Sequence, residues 1–585
     1  MSGSDPGTRS EGNHFDLIVR GGILVDGTGT ARRRIDVGVR DGRIAALGRL
    51  DKATSTEEFD ASGMIVAPGI VDAHTHYDPQ LTFDPIASMS AYHGVTTVLA
   101  GNCGFSIAPT KAEARPFIKA LFAKVEQMHP SAMDAIAWDF ESFPEFLTAQ
   151  EGTLGVNMAC YIGHSNVRRW VMGEDGSQRE ATAEEVEAMG DVVREAMGAG
   201  AAGLSSSHAP THLDGDDRPV PSRFASLDEL RALVEAAGDG GPGSISYLPE
   251  SAVGGINDAD EDLLIELGGI GGLPVIIQGI GGRNKVDAPT ATWDRAKVFL
   301  DRATEAGSPV YSLLIARPPD RPLQLDENCF HFLSVPSWSA MLELPHDERL
   351  ALLKDPAARE EMRFAVENYN RDPDKGTTTP PPLWNQVKVA HVALPENEHL
   401  VGRTIEELAA EMDKAPGDVL LDLAVAEDLA TEFRWSWETD EWSEAVAEAQ
   451  QDARIIIGTS DGGAHLARDD GADWSSWYLR NWVLDRKVWS LEEGIRQITQ
   501  YPAALLGFAD RGTVEVGKWA DLFIFDPNEI NAGRKEFVRD LPGGAGRFKA
   551  WPVGVKATIV NGVPIVVDSE PTGATPGHVV GPSRG

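Results

Sequence analysis

Ile70-Val71-Asp72-Ala73-His74-Thr75-His76-Tyr77-Asp78 decides the reading of this chain. An apolar run ends in two histidines one residue apart. On a strand, residues i and i+2 face the same side, so both imidazoles project into one space. Neutral imidazoles so placed suit a divalent transition metal, zinc foremost. The bland alternative is a pair of polar histidines at a strand end. The preceding run, Met64-Ile65-Val66-Ala67-Pro68-Gly69, carries no charge and reads as a buried strand entering a core.

Outward from this stretch, short apolar strands alternate with helical segments. The strands fall at 65–73, 96–100, 156–162, 201–205, 244–248, 274–278, 310–316 and 455–459. Helices at 182–198, 227–237, 290–305 and 492–500 lie between or after them. This alternation predicts an α/β fold, a parallel (β/α)8 TIM-like barrel over residues 67–504. Polar residues gather where such barrels keep their chemistry, at the C-terminal ends of the strands: His74 and His76, Asn102 and Cys103, His164, Ser205 to His208, and Asp461. The Pro- and Trp-rich stretch 320–440 reads as a large insertion, part of it a lid.

Both chain ends are β-rich. Asp41-Gly42 and Asn561-Gly562 are hairpin signals between alternating runs. The economical reading is one small β-sandwich built from 14–66 and 505–585, behind a polar, disordered tail over 1–13.

Composition narrows the function. The chain has 585 residues, 42% hydrophobic and 24% charged, enough for a large buried core. A net charge of −38 argues against nucleic-acid binding and against docking on an anionic membrane. A small-molecule substrate fits, and self-association into a homo-oligomer stays open. The cysteines, Cys103, Cys160 and Cys329, form no disulfide framework and fit a reducing compartment. No apolar run is long enough to span a membrane, and the N-terminus has no signal-peptide core, so the expected location is cytoplasmic.

Each candidate residue has a structural reading beside the chemical one. Cys103 is either a ligand or a small buried hydrophobe. Asp461 is either a metal ligand and general base or a helix N-cap. His164 is either a supporting residue or a satisfied strand-end histidine. His208, His212 and Arg223 belong to the loop above the fourth strand, where Pro210 rules out a helical ligand pair. They read as loop residues facing the pocket, as does His465. Gly268-Gly269-Ile270-Gly271-Gly272 precedes a strand, so it is no dinucleotide fingerprint.

The terminal β-strands, the His-x-His on the first barrel strand and Ile457-Gly458-Thr459-Ser460-Asp461 on the last resemble the amidohydrolase superfamily. Ala100-Gly101-Asn102-Cys103-Gly104-Phe105-Ser106 and Gly163-His164-Ser165-Asn166-Val167-Arg168 resemble its N-acyl-D-amino-acid deacylase branch. The resemblance implies hydrolysis of an amide C–N bond by metal-activated water. It implies Cys103, 27 residues after His76, as a zinc ligand or bridge, Asp461 as proton acceptor, and Arg168 near the substrate carboxylate. That branch also carries a histidine after the fifth strand and another after the sixth. Here Ser244-Ile245-Ser246-Tyr247-Leu248-Pro249-Glu250 and Val275-Ile276-Ile277-Gln278-Gly279-Ile280 contain neither. What remains is His74, His76, Cys103 and Asp461, which can close a single, roughly tetrahedral divalent-metal site, or leave one position open if Cys103 or Asp461 is not bound. Tyr247 or a loop histidine is a candidate to stabilise the oxyanion. Arg223, Arg283 and Arg317 are further candidates for the carboxylate. The altered pocket leaves room for a metal-dependent lyase of decarboxylase or retro-aldol type, a lactone or cyclic-amide hydrolase, or a binding protein that has lost catalysis.

Overall fold

Gly69 divides the run that the sequence presents as one strand. Ile65–Pro68 belongs to a sheet shared by the two ends of the chain, antiparallel to Leu522–Phe525 with Val66 opposite Ile524. Ile70–Asp72 is instead the first strand of the barrel. A Cβ on Gly69 would lie 2.1 Å from Thr96 Oγ1, so only glycine lets the chain turn against the second barrel strand. The expectation of one strand over 65–73 is corrected accordingly.

The computed structural model describes residues 14–252, 255–278, 292–325, 330–332, 334–369, 381–436, 438–467 and 471–582. The expected tail over 1–13, Arg283 and Cys329 lie outside the described residues.

The barrel strands are Ile70–Asp72, Val95–Ala100, Asn157–Gly163, Gly203–Ser207, Ser244–Leu248, Val275–Gln278, Val310–Leu314 and Ile455–Ile457. Neighbours pair in parallel in chain order. Between the last and the first, the Ala73 N–H donates to Gly458 O at 3.0 Å and the His76 N–H to Gly462 O at 2.7 Å, which closes the ring. The expected (β/α)8 barrel is present.

The helix Ala183–Ala199 shows why the outer layer forms where it does. Thr182 and Glu185 make a reciprocal capping box at its start, and Gly200 ends it at φ 108°. Its buried face, Met189, Val193, Ala196 and Met197, follows helical spacing.

The β-sandwich pairs a four-stranded sheet with a seven-stranded one. Leu17, Val37 and Val39 from the N-terminal part pack with Leu522, Ile524 and Ile559 from the C-terminal part. Both hairpin turns have two left-handed residues, Asp41 and Gly42 (φ 52° and 73°), and Asn561 and Gly562 (φ 46° and 81°). That is the twist a two-residue hairpin needs.

The last described residues leave the sandwich. Met158 N–H donates to His578 O at 3.0 Å and Val580 N–H to Met158 O at 2.8 Å. They cover the start of the third barrel strand, whose pairing with the fourth begins only at Tyr161. The insertion carries an antiparallel sheet of Arg321–Leu323, Val387–His391 and Glu432–Trp435. It has an apolar core of its own, in which Phe332 stacks on Trp338 with ring centroids 3.9 Å apart. No helix among the described residues is long and apolar enough to cross a membrane.

Candidate metal centre

The His-x-His segment is clamped on both sides by main chain. Thr75 N–H donates to Leu99 O at 2.9 Å on the second strand, and Asp461 N–H donates to His74 O at 3.2 Å from the loop after the eighth. Asn102 reinforces the clamp, donating from Nδ2 to Leu99 O at 2.9 Å and to Thr75 O at 3.3 Å. Both imidazoles are thereby held inward and buried.

Around them the donors converge. Cys103 Sγ is 3.7 Å from His74 Nε2. Asp461 Oδ1 is 3.7 Å from His74 Nε2 and 3.3 Å from His76 Nε2. His74, His76 and Cys103 form one group with metal-ligand spacing. Cys103 (φ 59°), Asp461 (φ 62°) and His465 (φ 55°) all occupy the left-handed region. Non-glycine residues hold that conformation at a cost of about 1–3 kcal/mol each, and they cluster at functional sites.

Sequence reasoning missed Glu126. It caps the C-terminal end of the helix Arg115–Val125 and is only 3% exposed. Its Oε1 lies 3.6 Å from His76 Nδ1, and its carbonyl accepts the His465 N–H at 2.6 Å. His76, Glu126 and Asp461 form a second donor group. A carboxylate at a helix C-terminus opposes the helix dipole, and that is the only local signal it offers. Gln278 stands at the end of the sixth strand, where the resemblance expects a histidine, and accepts the Cys103 thiol hydrogen at 3.9 Å.

The electrostatics follow from burial and charge. Burial, together with His76, pulls His74 down to about 3, so its ring is neutral and free to ligate. Burial also lowers His76, but Glu126 and Asp461 outweigh it and raise its pKa well above the usual histidine value. Burial pushes the Cys103 thiol up to about 11, against the pull of His76. Asp461 keeps 34% of its side chain exposed. Burial would raise its pKa, yet His76, His465 and His74 override this and hold it well below the carboxylate range.

A cavity of about 200 Å³ opens on the centre, lined by His76, Cys103, Lys124, Glu126, His212, Gln278, Asp461 and His465 among others. A second of about 120 Å³ shares Gln278, Asp461 and His465, and adds Arg317, Arg321, Ser460 and Trp474. His212 and His465 therefore face the cavity. Arg223 donates to Pro210 O and His212 O and holds the loop's shape. Tyr247 is buried with its hydroxyl 2.6 Å from His208 Nδ1, and neither residue lines the cavity.

His164 and Arg168 are also remote from it. Both are fully buried on Glu229: His164 lies between Ser206 Oγ at 2.8 Å and Glu229 Oε1 at 2.9 Å, and Arg168 pairs with the same carboxylate. Ser206, His164 and Glu229 have the atoms of a nucleophilic triad, but they line neither of these two cavities, and Arg168 pairs with the acid. The cluster fastens the fourth strand to its helices.

A buried set of imidazole, thiol and carboxylate donors at the C-terminal mouth of a parallel barrel has the composition and spacing to hold a divalent metal. Residues 57–320 and 390–566 match the profile of the amidohydrolase family. The chain belongs to that family, and is a metal-dependent hydrolase of carbon–nitrogen amide bonds. It is 29% identical over 98% of its length to a D-aminoacylase of Alcaligenes xylosoxydans xylosoxydans, covering 99% of that protein. It is 27% identical to the N-acyl-D-glutamate deacylase of the same organism, covering 88% of each. Its fold is similar to the crystal structure of N-acyl-D-glutamate deacylase from Bordetella bronchiseptica complexed with zinc and a phosphonate inhibitor, with a TM-score of 0.62 and 24% identity over 97% of this chain and 99% of that one.

Proposed function

We propose that the chain hydrolyses the amide bond of N-acyl-D-amino acids, with one tightly held divalent metal, zinc, on His74, His76, Cys103 and Asp461. The carrying observation is that Cys103 Sγ and Asp461 Oδ1 each stand 3.7 Å from His74 Nε2, with Asp461 Oδ1 also 3.3 Å from His76 Nε2. The donor set fits zinc: thiolate, two imidazoles and a carboxylate. A divalent ion there supplies Lewis acidity, lowering the pKa of water from 15.7 toward about 7 and polarising a carbonyl.

The protein's residues do the rest. Asp461, held ionised by its imidazole neighbours, takes a proton from the attacking water and delivers it to the leaving nitrogen as the C–N bond breaks. His212, which burial pulls down to about 4, is neutral at pH 7. Ser207 Oγ accepts the Ala209 N–H and lies 2.8 Å from His212 Nδ1. In the tautomer in which the Ser207 hydroxyl donates to Nδ1, the His212 proton is on Nε2, where it can hydrogen-bond the carbonyl oxygen as charge develops. Arg321, stacked 5.0 Å from the Trp435 ring centroid, reaches the second lobe from the insertion and suits a substrate carboxylate. The relatives' names support the acyl-D-amino-acid class, and two free, buried cysteines, Cys103 and Cys160, support a cytoplasmic setting.

The test is a panel of N-acetyl-D- and N-acetyl-L-amino acids, a cyclic amide and a lactone, given to the zinc-loaded protein. Amine release from the D-series is expected. Turnover of a lactone or cyclic amide alone, or carbon dioxide release without hydrolysis, would reject the reading.

A further inference from the structure

The two lobes of the cavity share Gln278, Asp461 and His465, and each has further walls of its own. The second lobe adds Arg321, the residue that suits the substrate carboxylate. The first, of about 200 Å³, adds Val125 and Leu213, and Lys124 is the only lysine or arginine among the described residues that line it. A water occupies about 30 Å³ of liquid and a methyl group little more, so an acetyl group leaves most of this lobe to solvent.

Lys124 is positioned from two sides. It lies in the last turn of the helix Arg115–Val125, where a cation suits the helix dipole. Its ammonium pairs with Asp217 Oδ1 at 2.5 Å, from the loop after the fourth strand. That loop is built around Asp214, which is fully buried and accepts the Asp216 and Arg218 N–H groups at 2.9 and 3.1 Å. The Asp217 N–H donates to Asp214 O at 3.1 Å, while its carboxylate is 69% exposed. Exposed ion pairs contribute little, so another carboxylate exchanges for Asp217 at small cost. The carboxylates within the lobe face other groups: Glu126 is set against His76, and Asp461 against His76 and His465.

We propose that the first lobe takes the acyl half of the substrate, and that Lys124 selects acyl groups ending in a carboxylate, of the succinyl or glutaryl kind, over acetyl. This rests on the proposed hydrolysis of N-acyl-D-amino acids and names the acyl class. With the amino-acid carboxylate on Arg321, the scissile carbonyl falls where the lobes join, beside Asp461 and Gln278, and the acyl chain extends into the first lobe. Its methylenes lie against Val125 and Leu213, an apolar wall that suits them. Its terminal carboxylate takes the place of Asp217 on the Lys124 ammonium, a charge-assisted contact that acetyl does not make.

The experiment compares N-acetyl-, N-succinyl- and N-succinamoyl-D-leucine on the zinc-loaded chain. The third carries a carboxamide where the second has its terminal carboxylate, so it separates charge from length. The ketone analogues of all three, with a methylene in place of the amide nitrogen, are titrated by calorimetry. The succinyl analogue should bind at least about threefold more tightly than the other two, and the succinyl substrate should show the lowest KM. Lys124→Met should erase the difference. Asp217→Asn removes the competing carboxylate and should widen it, a change of opposite sign that a merely loop-bracing pair would not produce. Equal affinity for the succinyl and succinamoyl analogues, or a difference that survives Lys124→Met, would overturn the proposal. Failure of the acyl-amino-acid reading shows separately, as analogues that bind in the expected order while none of the three amides is cleaved.

Discussion

Cys103 Sγ and His74 Nε2 stand 3.7 Å apart, both buried, on loops that follow adjacent barrel strands. Each comes from a different strand end, so their meeting is a product of the barrel and of the left-handed turn at Cys103. The pair belongs to the donor group of His74, His76 and Cys103.

Dialysed protein should hold one equivalent of zinc through that group. His74→Ala and His76→Ala should each lose metal and activity together. Cys103→Ser should lower affinity by more than the roughly 10–100-fold typical of an outer-shell partner, because a hydroxyl is a poor zinc ligand beside a thiolate. Metal analysis beside chelator competition reads this. Unchanged affinity would return Cys103 to a packing role.

Asp461→Asn keeps the shape and removes the proton acceptor. The rate constant kcat should fall by roughly 10²–10⁴-fold, and kcat/KM with it. Metal content is measured alongside, since Asn is also the weaker ligand. A variant that holds its metal and turns over at the normal rate would remove Asp461 from the chemistry.

Metal uptake should weaken as pH falls. In the metal-free chain His76 has a raised pKa and the Cys103 thiol sits at about 11, so both carry protons that binding must displace. Where one proton is displaced, affinity rises about tenfold per pH unit, and more steeply where two are. In the metal-free chain the sign for His76 is opposite. Its protonated form contributes stability below its unfolded pKa of about 6.5, lost as pH rises through the higher folded value. Zinc competition at pH 6, 7 and 8 is the measurement, and a flat profile would contradict it.

Gly69→Ala should destabilise the chain by about 1–3 kcal/mol through the collision with Thr96. Thr96→Ala in the same chain should recover part of the loss, since the two sites touch. Two additive losses in thermal unfolding would mean that the glycine serves some other purpose.

Arg168→Gln leaves Glu229 with one fewer partner in a dry cluster. Breaking such a pair costs about 3–5 kcal/mol, so Tm should fall while the KM of the folded fraction holds. A raised KM at unchanged Tm would restore Arg168 to the substrate.

What was legible in the sequence was local. The His-x-His pair depends on strand periodicity, and the Asp41-Gly42 and Asn561-Gly562 turns depend on two adjacent torsions, so short windows reveal them. The eight barrel strands announce themselves as short buried apolar runs. Glu126 was not legible, because a helix end far along the chain carries it to His76 and only tertiary packing brings them together. The inward roles of His164 and Arg168 were hidden for the same reason. Their partner Glu229 lies on a helix one strand further along, and a strand-end polar string looks alike whether it meets a cavity or a buried acid. The break at Gly69 needed the position of Thr96, which no reading of 65–73 alone contains.

The pairing of Val66 with Ile524 has a consequence for biosynthesis. At about 5–20 residues per second, a ribosome needs roughly half a minute to a minute and a half to deliver the second strand after the first. Until then Ile65–Pro68, apolar and already outside the exit tunnel, lacks its antiparallel partner. The nascent chain thus carries an unpaired hydrophobic edge through most of its own translation, the state in which chaperone capture, or aggregation in its absence, is decided.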